Sequence, residues 1–321
     1  MWKPVGSPYL VPYDGSFEVA KSPTVPAAGE RGPKGGKRDR KSGKSGDGKS
    51  GKGGKGGDGK SDKKADKGRL AELVEELDDL QRVLWAHDRI AVLCVFQAMD
   101  AAGKDSTIRA VFSGVDPSGV EVHYFKQPSA EDIDHDFLWR TTKRLPTRGR
   151  IGVFNRSYYE EVLVVRVHPE LLESQKLPWR PPGAKIWDER FTSIREHERH
   201  LARNGTVVLK FWLNISREEQ RRRFLARLEN PRKHWKFSEG DVRESERWDE
   251  YMRAYEEAVN ATSRPWAPWY AIPADYKPFA RLRVAEIVVD TLRGLDLRYP
   301  EPEEDQQRRF AQLRKLLDDR E

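Results

Sequence analysis

The sequence has few residues that could cross-link it or hold it in a membrane. It contains one cysteine among 321 residues, so an intramolecular disulfide is excluded, which suits a reducing compartment. Hydrophobic residues make up only 37% of the chain, and no apolar run approaches the roughly 20 residues that a membrane span needs. The first ten residues lack the apolar segment of a secretory signal. These absences predict a cytoplasmic protein with no membrane partner.

The shortage of apolar residues is concentrated in one segment. Residues 31–67 contain 14 of the 59 Lys and Arg residues and 5 of the 52 Asp and Glu residues, so this segment carries a formal charge of +9 and the remainder carries −2. The positive net charge of the chain therefore does not predict a specific nucleic-acid partner for its folded part. An anion site there has to come from a local cluster of cations.

The composition divides the chain into four parts. Residues 1–24 contain aromatic and β-branched side chains and a turn at Asp14-Gly15, which predicts an ordered N-terminal arm. Residues 25–68 predict a disordered Lys/Gly-rich linker, because Gly and Lys cannot bury a core. This linker is either a solvated tether or a weak polyanion-binding tail. A catalytic domain is expected at 69–300, with a charged helix or tail at 301–321.

Strands and helices alternate after residue 69, which predicts an α/β protein with a parallel sheet covered on both faces. The apolar run 90–96 is typical of a buried parallel strand, with Cys94 as a core residue rather than a nucleophile. The remaining strands are predicted at 120–125, 151–154, 206–212 and 269–272. The helices are predicted from Leu70 onward and at 131–144, 184–203, 216–229 and 279–293.

A candidate phosphate-binding loop follows the first strand. Residues 98–105 read AMDAAGKD, a degraded form of the G-x-x-x-x-G-K-[ST] pattern, with Ala98 in place of the first glycine and Asp105 in place of Ser or Thr. The backbone N–H groups of such a loop converge on an anion at a helix N-terminus. Asp100 would repel a phosphate unless a Mg²⁺ ion lay between them, because carboxylates are usual Mg²⁺ ligands. The alternatives are a plain strand–helix turn and, for Asp105, an acid favoured by the helix dipole.

Two further clusters are expected near this loop. Asn155 and Arg156 follow the strand at 151–154, and Glu160 and Glu161 open the next helix. Ligands bind at the carboxyl ends of strands in open α/β sheets, so one of the two glutamates could complete a metal site. Both could instead simply complement the helix dipole.

The second cluster is basic and lies at about 216–245. Arg223 and Arg227 are four residues apart on one helical face, and Lys233 and Lys236 follow. Such a set of cations suggests a lid that closes over phosphates. A solvated basic face is the alternative.

These motifs resemble the polyphosphate kinase 2 family. The resemblance rests on MDAAGKDSTIRAVF, IGVFNRSYYEEVLVVRVHPE, ENPRKHWKF and PWYAIPADYKPFARLRV, and it covers about residues 69–295. It implies a P-loop kinase-like three-layer α/β/α fold with a helical lid, Mg²⁺ as cofactor, and phosphoryl transfer between inorganic polyphosphate and a nucleotide, with AMP or ADP, or their guanine equivalents, as acceptor. We also expect a homo-oligomer.

The candidate residues can be grouped by expected role. Catalytic roles are predicted for Asp100, Lys104, Arg156, Glu160, Glu161 and Arg223. Phosphate or nucleotide binding is predicted for Ala101, Ala102, Gly103, Asp105, Ser106, Asn155, Lys126, Arg227, Lys233 and Lys236. Asp100 and Glu161 are the predicted metal ligands, and a cationic track for a long polyanion is predicted at Lys126, Arg140, Arg148 and Arg166.

Two other functions fit parts of the same sequence. An ATP-dependent nucleotide kinase of the same fold would share the loop and the lid. A non-enzymatic polyanion-binding protein would depend on the Lys/Gly segment, although Asp100 and Lys104 argue against it.

Overall fold

The computed structural model describes residues 2–27, 30, 58–179 and 183–318, with backbone alone for 58–63, Lys233 and Lys236. Five strands form one sheet in the order β2-β3-β1-β4-β5, and all neighbouring pairs are parallel. The strands are β1 (Ala91–Gln97), β2 (Val120–Tyr124), β3 (Ile151–Asn155), β4 (Thr206–Asn214) and β5 (Trp269–Pro273). The predicted parallel α/β sheet is therefore confirmed.

Helices cover both faces of this sheet. Every residue of β1 is buried, as expected for a central strand with a layer on each side. One group of helices consists of α1 (Asp58–His87), α2 (Lys104–Phe112) and α10 (Lys277–Arg293), which pack on one another. A second group consists of α5 (Val164–Val167), α6 (Lys185–Arg203) and α9 (Trp248–Thr262). The remaining helices are α3 (Ala130–Ile133), α4 (Trp139–Thr142), α7 (Arg217–Leu228), α8 (Glu239–Glu246) and the exposed α11 (Glu304–Asp318).

Two predicted boundaries differ from the structure. Helix α1 begins at Asp58, so residues 58–68 are helical although the composition assigned them to the linker. Lys and Ala favour helix, and Gly59 and Gly68 each cost only about 1 kcal/mol. Of the rest of the predicted linker, residues 25–27 and Glu30 are described, whereas residues 28, 29 and 31–57 lie outside the described residues.

The helix predicted at 131–144 is also corrected, because the structure has two short helices there, α3 and α4. The Asp136 side chain between them accepts a hydrogen bond from the Leu138 backbone N–H at 2.9 Å. Side-chain bonds of this kind compete with the helical pattern and favour a turn. The break places residues 134–138 in a loop beside the carboxyl edge of the sheet.

The N-terminal arm covers the β5 edge of the sheet. The Ala271 N–H donates to the Tyr9 carbonyl at 2.8 Å, and the Val11 N–H donates to the Trp269 carbonyl at 2.9 Å. Tyr9 and Val11 are both buried. An uncovered edge strand offers unpaired backbone groups to other chains, so the arm protects this edge.

None of the helices in the described part of the chain combines the length and the apolar character that crossing a membrane requires.

Candidate active site

The loop between β1 and α2 has the backbone of an anion-binding turn. Ala101 has φ 63° and Gly103 has φ 106°, both in the left-handed region. A side chain at Gly103 would be strained at that φ, and its Cβ would lie 3.3 Å from the Ser106 hydroxyl oxygen. Ala98, which replaces the first glycine of the pattern, is not among the described residues with positive φ. The alanine therefore carries no left-handed strain.

Helix α7 holds the carbonyl groups of this loop. The Gln220 side-chain amide donates to the Asp100 carbonyl at 3.0 Å. Arg223 Nη1 donates to the Ala101 carbonyl at 3.0 Å and to the Ala102 carbonyl at 2.7 Å. In a trans peptide the N–H points away from the preceding C=O, so the amides of Ala101 and Gly103 face away from α7. With the N–H groups of the first turn of α2, where the helix dipole favours negative charge, they form a cradle for an anion.

Arg223 uses all five of its N–H donors in this arrangement. Besides the two loop carbonyls, Nη2 donates to the Ala274 carbonyl at 2.7 Å and the Asp275 carbonyl at 3.0 Å. Nε donates to Glu219 Oε1 at 2.7 Å. The residue is 7% exposed. Arg223 was predicted as a lid cation that contacts phosphate, but in this conformation it joins the loop, α7 and the end of β5.

Lys104 lies folded over the loop. Its Nζ donates to the Ala98 carbonyl and lies 3.5 Å from the Met99 carbonyl. Burial lowers the pKa of this lysine, and the neighbouring Asp100 opposes that effect. An anion in the cradle would compensate the buried charge, as predicted for a lysine aimed at phosphates.

Asn155 and Asp105 bind each other. The Asn155 amide donates to Asp105 Oδ1 at 2.8 Å, which ties the end of β3 to the first turn of α2. Ser106, another predicted phosphate contact, donates its hydroxyl to the Gly103 carbonyl at 3.0 Å. These three residues stabilise the cradle from the side of α2.

Arg156 connects Asp100 in the loop after β1 with Glu160 in the turn after β3. Its Nη2 lies 3.0 Å from Asp100 Oδ1, and its Nη1 lies 3.5 Å from Glu160 Oε2. The charge of Glu160 raises the pKa of Arg156 most strongly, with Asp100 adding to it. Burial raises the pKa of Glu160, and Arg156 opposes that rise. Two carboxylates and one guanidinium thus meet at the carboxyl edge of β1 and β3.

Glu161 belongs to a different contact. Its Oε2 accepts hydrogen bonds from Arg190 Nη1 at 2.8 Å and from the Gln175 amide at 2.7 Å. The side chains of Glu161 and Arg190 are each only 5% exposed. Glu160 is the acid that shares Arg156 with Asp100. Glu161 also lines the cavity described below, so its role as a metal ligand stays a prediction, although its carboxylate binds Arg190 here.

A cavity of about 390 Å³ lies between this edge of the sheet and the lid. Asp100, Arg156 and Glu160 line its floor. Its other walls include Lys126 and Arg140 from the β2 side and residues of α8 and α9, namely Asp241, Glu244, Tyr251 and Tyr255. The acids and tyrosines of α8 and α9 were not predicted, because only the fold brings them over the loop.

The predicted lid consists of α7, a 3-10 helix at Pro231–Lys236 and α8. Arg227 Nη1 lies 3.3 Å from Asp241 Oδ2, so this predicted phosphate contact bridges two lid helices. Lys233 and Lys236 lie in the 3-10 helix, and their side chains are outside the described residues.

The predicted cationic track is only partly assembled. Lys126 and Arg140 line the cavity, and Arg140 Nη1 donates to the Lys126 carbonyl at 2.7 Å. Arg148 instead donates to the Arg89 carbonyl at the amino ends of the strands. Arg166 lies 2.9 Å from Glu257. Arg148 and Arg166 are therefore removed from the track.

The Asp100 and Glu160 carboxylates fit a Mg²⁺ ion whose other ligands would come from water and substrate phosphates. Within residues 2–27, 30, 58–179 and 183–318, no group of three or more His, Cys, Asp or Glu side chains could hold a metal alone. Mg²⁺ usually takes one or two carboxylates and completes its octahedron with water and substrate phosphates. Asp100 and Glu160, both at the cavity, supply such a pair.

The model of one protein family, Polyphosphate kinase 2 (PPK2), matches residues 60–300. The chain belongs to the polyphosphate kinase 2 family. Two similar proteins are named ADP-polyphosphate phosphotransferase, from Rhodopseudomonas palustris, and AMP/ADP-polyphosphate phosphotransferase, from Meiothermus ruber. The first is 53% identical over 242 residues, which cover 75% of this chain and 84% of that protein. The second is 48% identical over 227 residues, covering 71% and 81%.

Solved structures of the family have the same fold. The crystal structure of polyphosphate kinase 2 from Arthrobacter aurescens TC1 matches with a TM-score of 0.69 and 38% identity, covering 80% of this chain and 86% of that one. The P-loop kinase-like fold implied by the resemblance is thereby confirmed. The polyphosphate kinase 2 segment includes the loop, the Arg156 turn and the lid, whereas the N-terminal arm and α11 lie outside it.

Replacing Arg223 with Met should destabilise the protein by about 3–5 kcal/mol, because four backbone carbonyls and Glu219 lose a buried charged donor. Arg222→Met is the matched control, since the neighbouring Arg222 side chain is 69% exposed and its loss should cost less than about 1 kcal/mol. Urea unfolding of both variants measures the difference. Equal free energies of unfolding would contradict the joining role of Arg223.

Proposed function

We propose that this protein transfers a phosphoryl group between inorganic polyphosphate and a nucleoside mono- or diphosphate, with Mg²⁺ as cofactor. The observation that carries the proposal is that Asp100, Arg156 and Glu160 line one cavity, and that the Lys104 ammonium group donates to the carbonyl of Ala98 in its wall. Membership of the polyphosphate kinase 2 family supports polyphosphate as donor. The names of the relatives from R. palustris and M. ruber support ADP and AMP as acceptors.

In the synthetic direction, a terminal phosphate oxygen of the nucleotide attacks the last phosphorus of the polyphosphate chain. A new P–O bond forms, the bridging P–O bond breaks, and the chain leaves one unit shorter. The attacking oxygen is already anionic, so the protein need not supply a strong base. Positioning and charge neutralisation are the main tasks of a phosphotransferase.

The residues of the chain divide these tasks. The loop amides and Lys104 hold one phosphate at the start of α2, and Arg156 neutralises charge on the transferring group. Asp100 and Glu160 would hold the magnesium ion. A bound Mg²⁺ would supply positive charge against the phosphate oxygens. Lys126 and Arg140 line the cavity where a polyanion would enter.

A substrate matrix tests the proposal. The protein is incubated with AMP, ADP, GMP or GDP and long-chain polyphosphate with Mg²⁺, and AMP is also incubated with ATP as donor. We expect transfer from polyphosphate to AMP or ADP. Lys104→Ala should lower kcat/KM by at least about a hundredfold, because a charge on the transferring phosphate is lost. Transfer only from ATP would replace this proposal with an ATP-dependent nucleotide kinase, and a Lys104→Ala rate within tenfold of wild type would reject the P-loop role.

Asp100→Asn and Glu160→Gln should each raise the Mg²⁺ concentration needed for half-maximal rate, because an amide keeps the shape of the carboxylate and loses its charge. Glu161→Gln should leave the Mg²⁺ dependence unchanged, whatever it does to stability, since its carboxylate binds Arg190. Initial rates against Mg²⁺ concentration measure this, with the exposed Asp188→Asn as control. A shift in Glu161→Gln alone would identify Glu161 as the ligand.

The basic segment is proposed to raise the local concentration of polyphosphate by unspecific attraction. Residues 31–57 contain ten Lys and Arg and two Asp, and deleting them leaves α1 whole. The deletion should raise the apparent KM for long polyphosphate at low salt and change kcat little. The two proteins should converge at high salt, because screening acts beyond about 8 Å at physiological ionic strength. An equal KM at low salt would identify the segment as an inert spacer.

The cytoplasmic location and the homo-oligomeric state stay predictions from the sequence.

A further inference from the structure

The turn that carries Arg156 and Glu160 is short and strained. Arg156 has φ 63°, in the left-handed region, which costs a non-glycine residue about 1–2 kcal/mol. The chain then enters a 3-10 helix at Tyr158–Val162, whose hydrogen bonds have poorer geometry than those of an α-helix. Such a conformation persists only where its surroundings hold it.

Two tyrosines anchor this turn to one buried carboxylate. Tyr158 and Tyr159 lie between Arg156 and Glu160 in the chain, and both are fully buried. Their hydroxyl groups donate to the same oxygen, Glu198 Oε1, at 2.9 and 2.8 Å. Glu198 lies on α6 and is also fully buried.

Lys210 on β4 completes the anchor. Its ammonium group donates to Glu198 Oε2 at 2.7 Å, to the Tyr159 hydroxyl at 2.9 Å and to the Thr262 carbonyl at 2.9 Å. An ammonium group has three hydrogens, so every donor is used. The Thr262 hydroxyl in turn accepts from Trp269 Nε1 at 2.9 Å, which extends the network to β5.

Stability alone does not account for this ion pair. Burial lowers the pKa of Lys210 to about 8 and raises the pKa of Glu198, so burial disfavours each charge; Glu198 compensates the ammonium group, and Lys210 with the two tyrosine hydroxyls compensates the carboxylate. Replacing a buried ion pair with apolar residues is often neutral or stabilising by 1–4 kcal/mol. What an apolar pair could not do is accept two tyrosine hydroxyls at one point.

We infer that Glu198 and Lys210 are positioning residues for phosphoryl transfer, because through the tyrosine hydroxyls they hold the turn that places Arg156 against Asp100 and Glu160. The inference rests on the proposed function. Without the anchor, Arg156 would relax from its left-handed conformation and leave Asp100. Neither Glu198 nor Lys210 lines the cavity, so their effect on the reaction is indirect.

Two charge-neutral double variants separate positioning from stability. Lys210→Met/Glu198→Gln keeps one oxygen acceptor for the tyrosines, whereas Lys210→Met/Glu198→Leu keeps none. We expect the Gln variant to retain kcat within about fivefold of wild type. The Leu variant leaves two buried hydroxyls unpaired and should melt below the Gln variant. Assayed well below its melting temperature, where it is fully folded, it should still lose at least about tenfold in kcat, which a purely structural role does not produce.

A second pair of variants covers the case in which the Leu variant does not fold. Tyr158→Phe/Tyr159→Phe removes both hydroxyls and keeps the rings. Tyr270→Phe is the matched control, because Tyr270 is fully buried and its hydroxyl donates to the Val5 carbonyl at 3.1 Å, away from the turn. We expect kcat to fall at least about tenfold in the double variant and to stay within twofold of wild type in the control.

Two results overturn the inference. The first is a folded Leu variant or tyrosine double variant whose kcat lies within threefold of wild type. The second is a loss of kcat that follows the melting temperature across all variants, Tyr270→Phe included. A wild-type protein that transfers nothing from polyphosphate would instead reject the proposed function, so the two failures are distinguishable.

Discussion

The site depends on one constraint on the loop after β1. The carbonyl groups of this loop have to be hydrogen-bonded on one side, and its N–H groups have to stay accessible on the other. Gln220 and Arg223 meet this constraint by donating hydrogen bonds from the buried face of α7 to the loop carbonyls. The amides opposite those carbonyls are then available to an anion. Because the same arginine also binds the carbonyls after β5, the loop, α7 and the far side of the sheet form one unit.

Arg223 thus differs from the phosphate-contacting lid cation that the sequence predicted. A residue with five buried hydrogen bonds is a poor candidate for a movement that opens and closes over substrate. Arg227, one turn later, makes an ion pair of 3.3 Å with Asp241 in α8 and lies over the Phe224 ring at 5.4 Å.

The charged side chains at the cavity compensate one another. Arg156 lies between two acids, and burial disfavours ionisation of Lys104 and Glu160 alike. Charges that compensate one another at such a site cost little reorganisation when a polyanion and its counter-ion enter. Behind these side chains, the Glu198–Lys210 pair holds the turn without facing the cavity. The charged groups at the cavity and the Glu198–Lys210 pair behind them thus both help to hold Arg156 in place.

Two adjacent glutamates show what a sequence motif cannot predict. Glu160 and Glu161 are adjacent and chemically alike, and Glu161 was predicted from the sequence as the metal ligand. In the 3-10 turn they diverge, so that one lies against Arg156 and the other against Arg190 on α6. A similar uncertainty affected Arg148 and Arg166, which are cations in the chain near the motifs but lie away from the cavity in the fold.

The sequence by itself determined the parallel α/β sheet, the loop after β1 and the family, because hydrophobic periodicity and the loop motif are local in the chain. It also placed Asp100, Lys104 and Arg156 near one edge, since the carboxyl ends of parallel strands meet there. Only the tertiary structure decided which glutamate faces Asp100, that Arg223 binds carbonyls, and that Glu198 and Lys210 anchor the Arg156 turn. These contacts join residues 12 to 122 positions apart on different elements, and the direction of a side chain toward such a partner is set by packing, which no local pattern encodes.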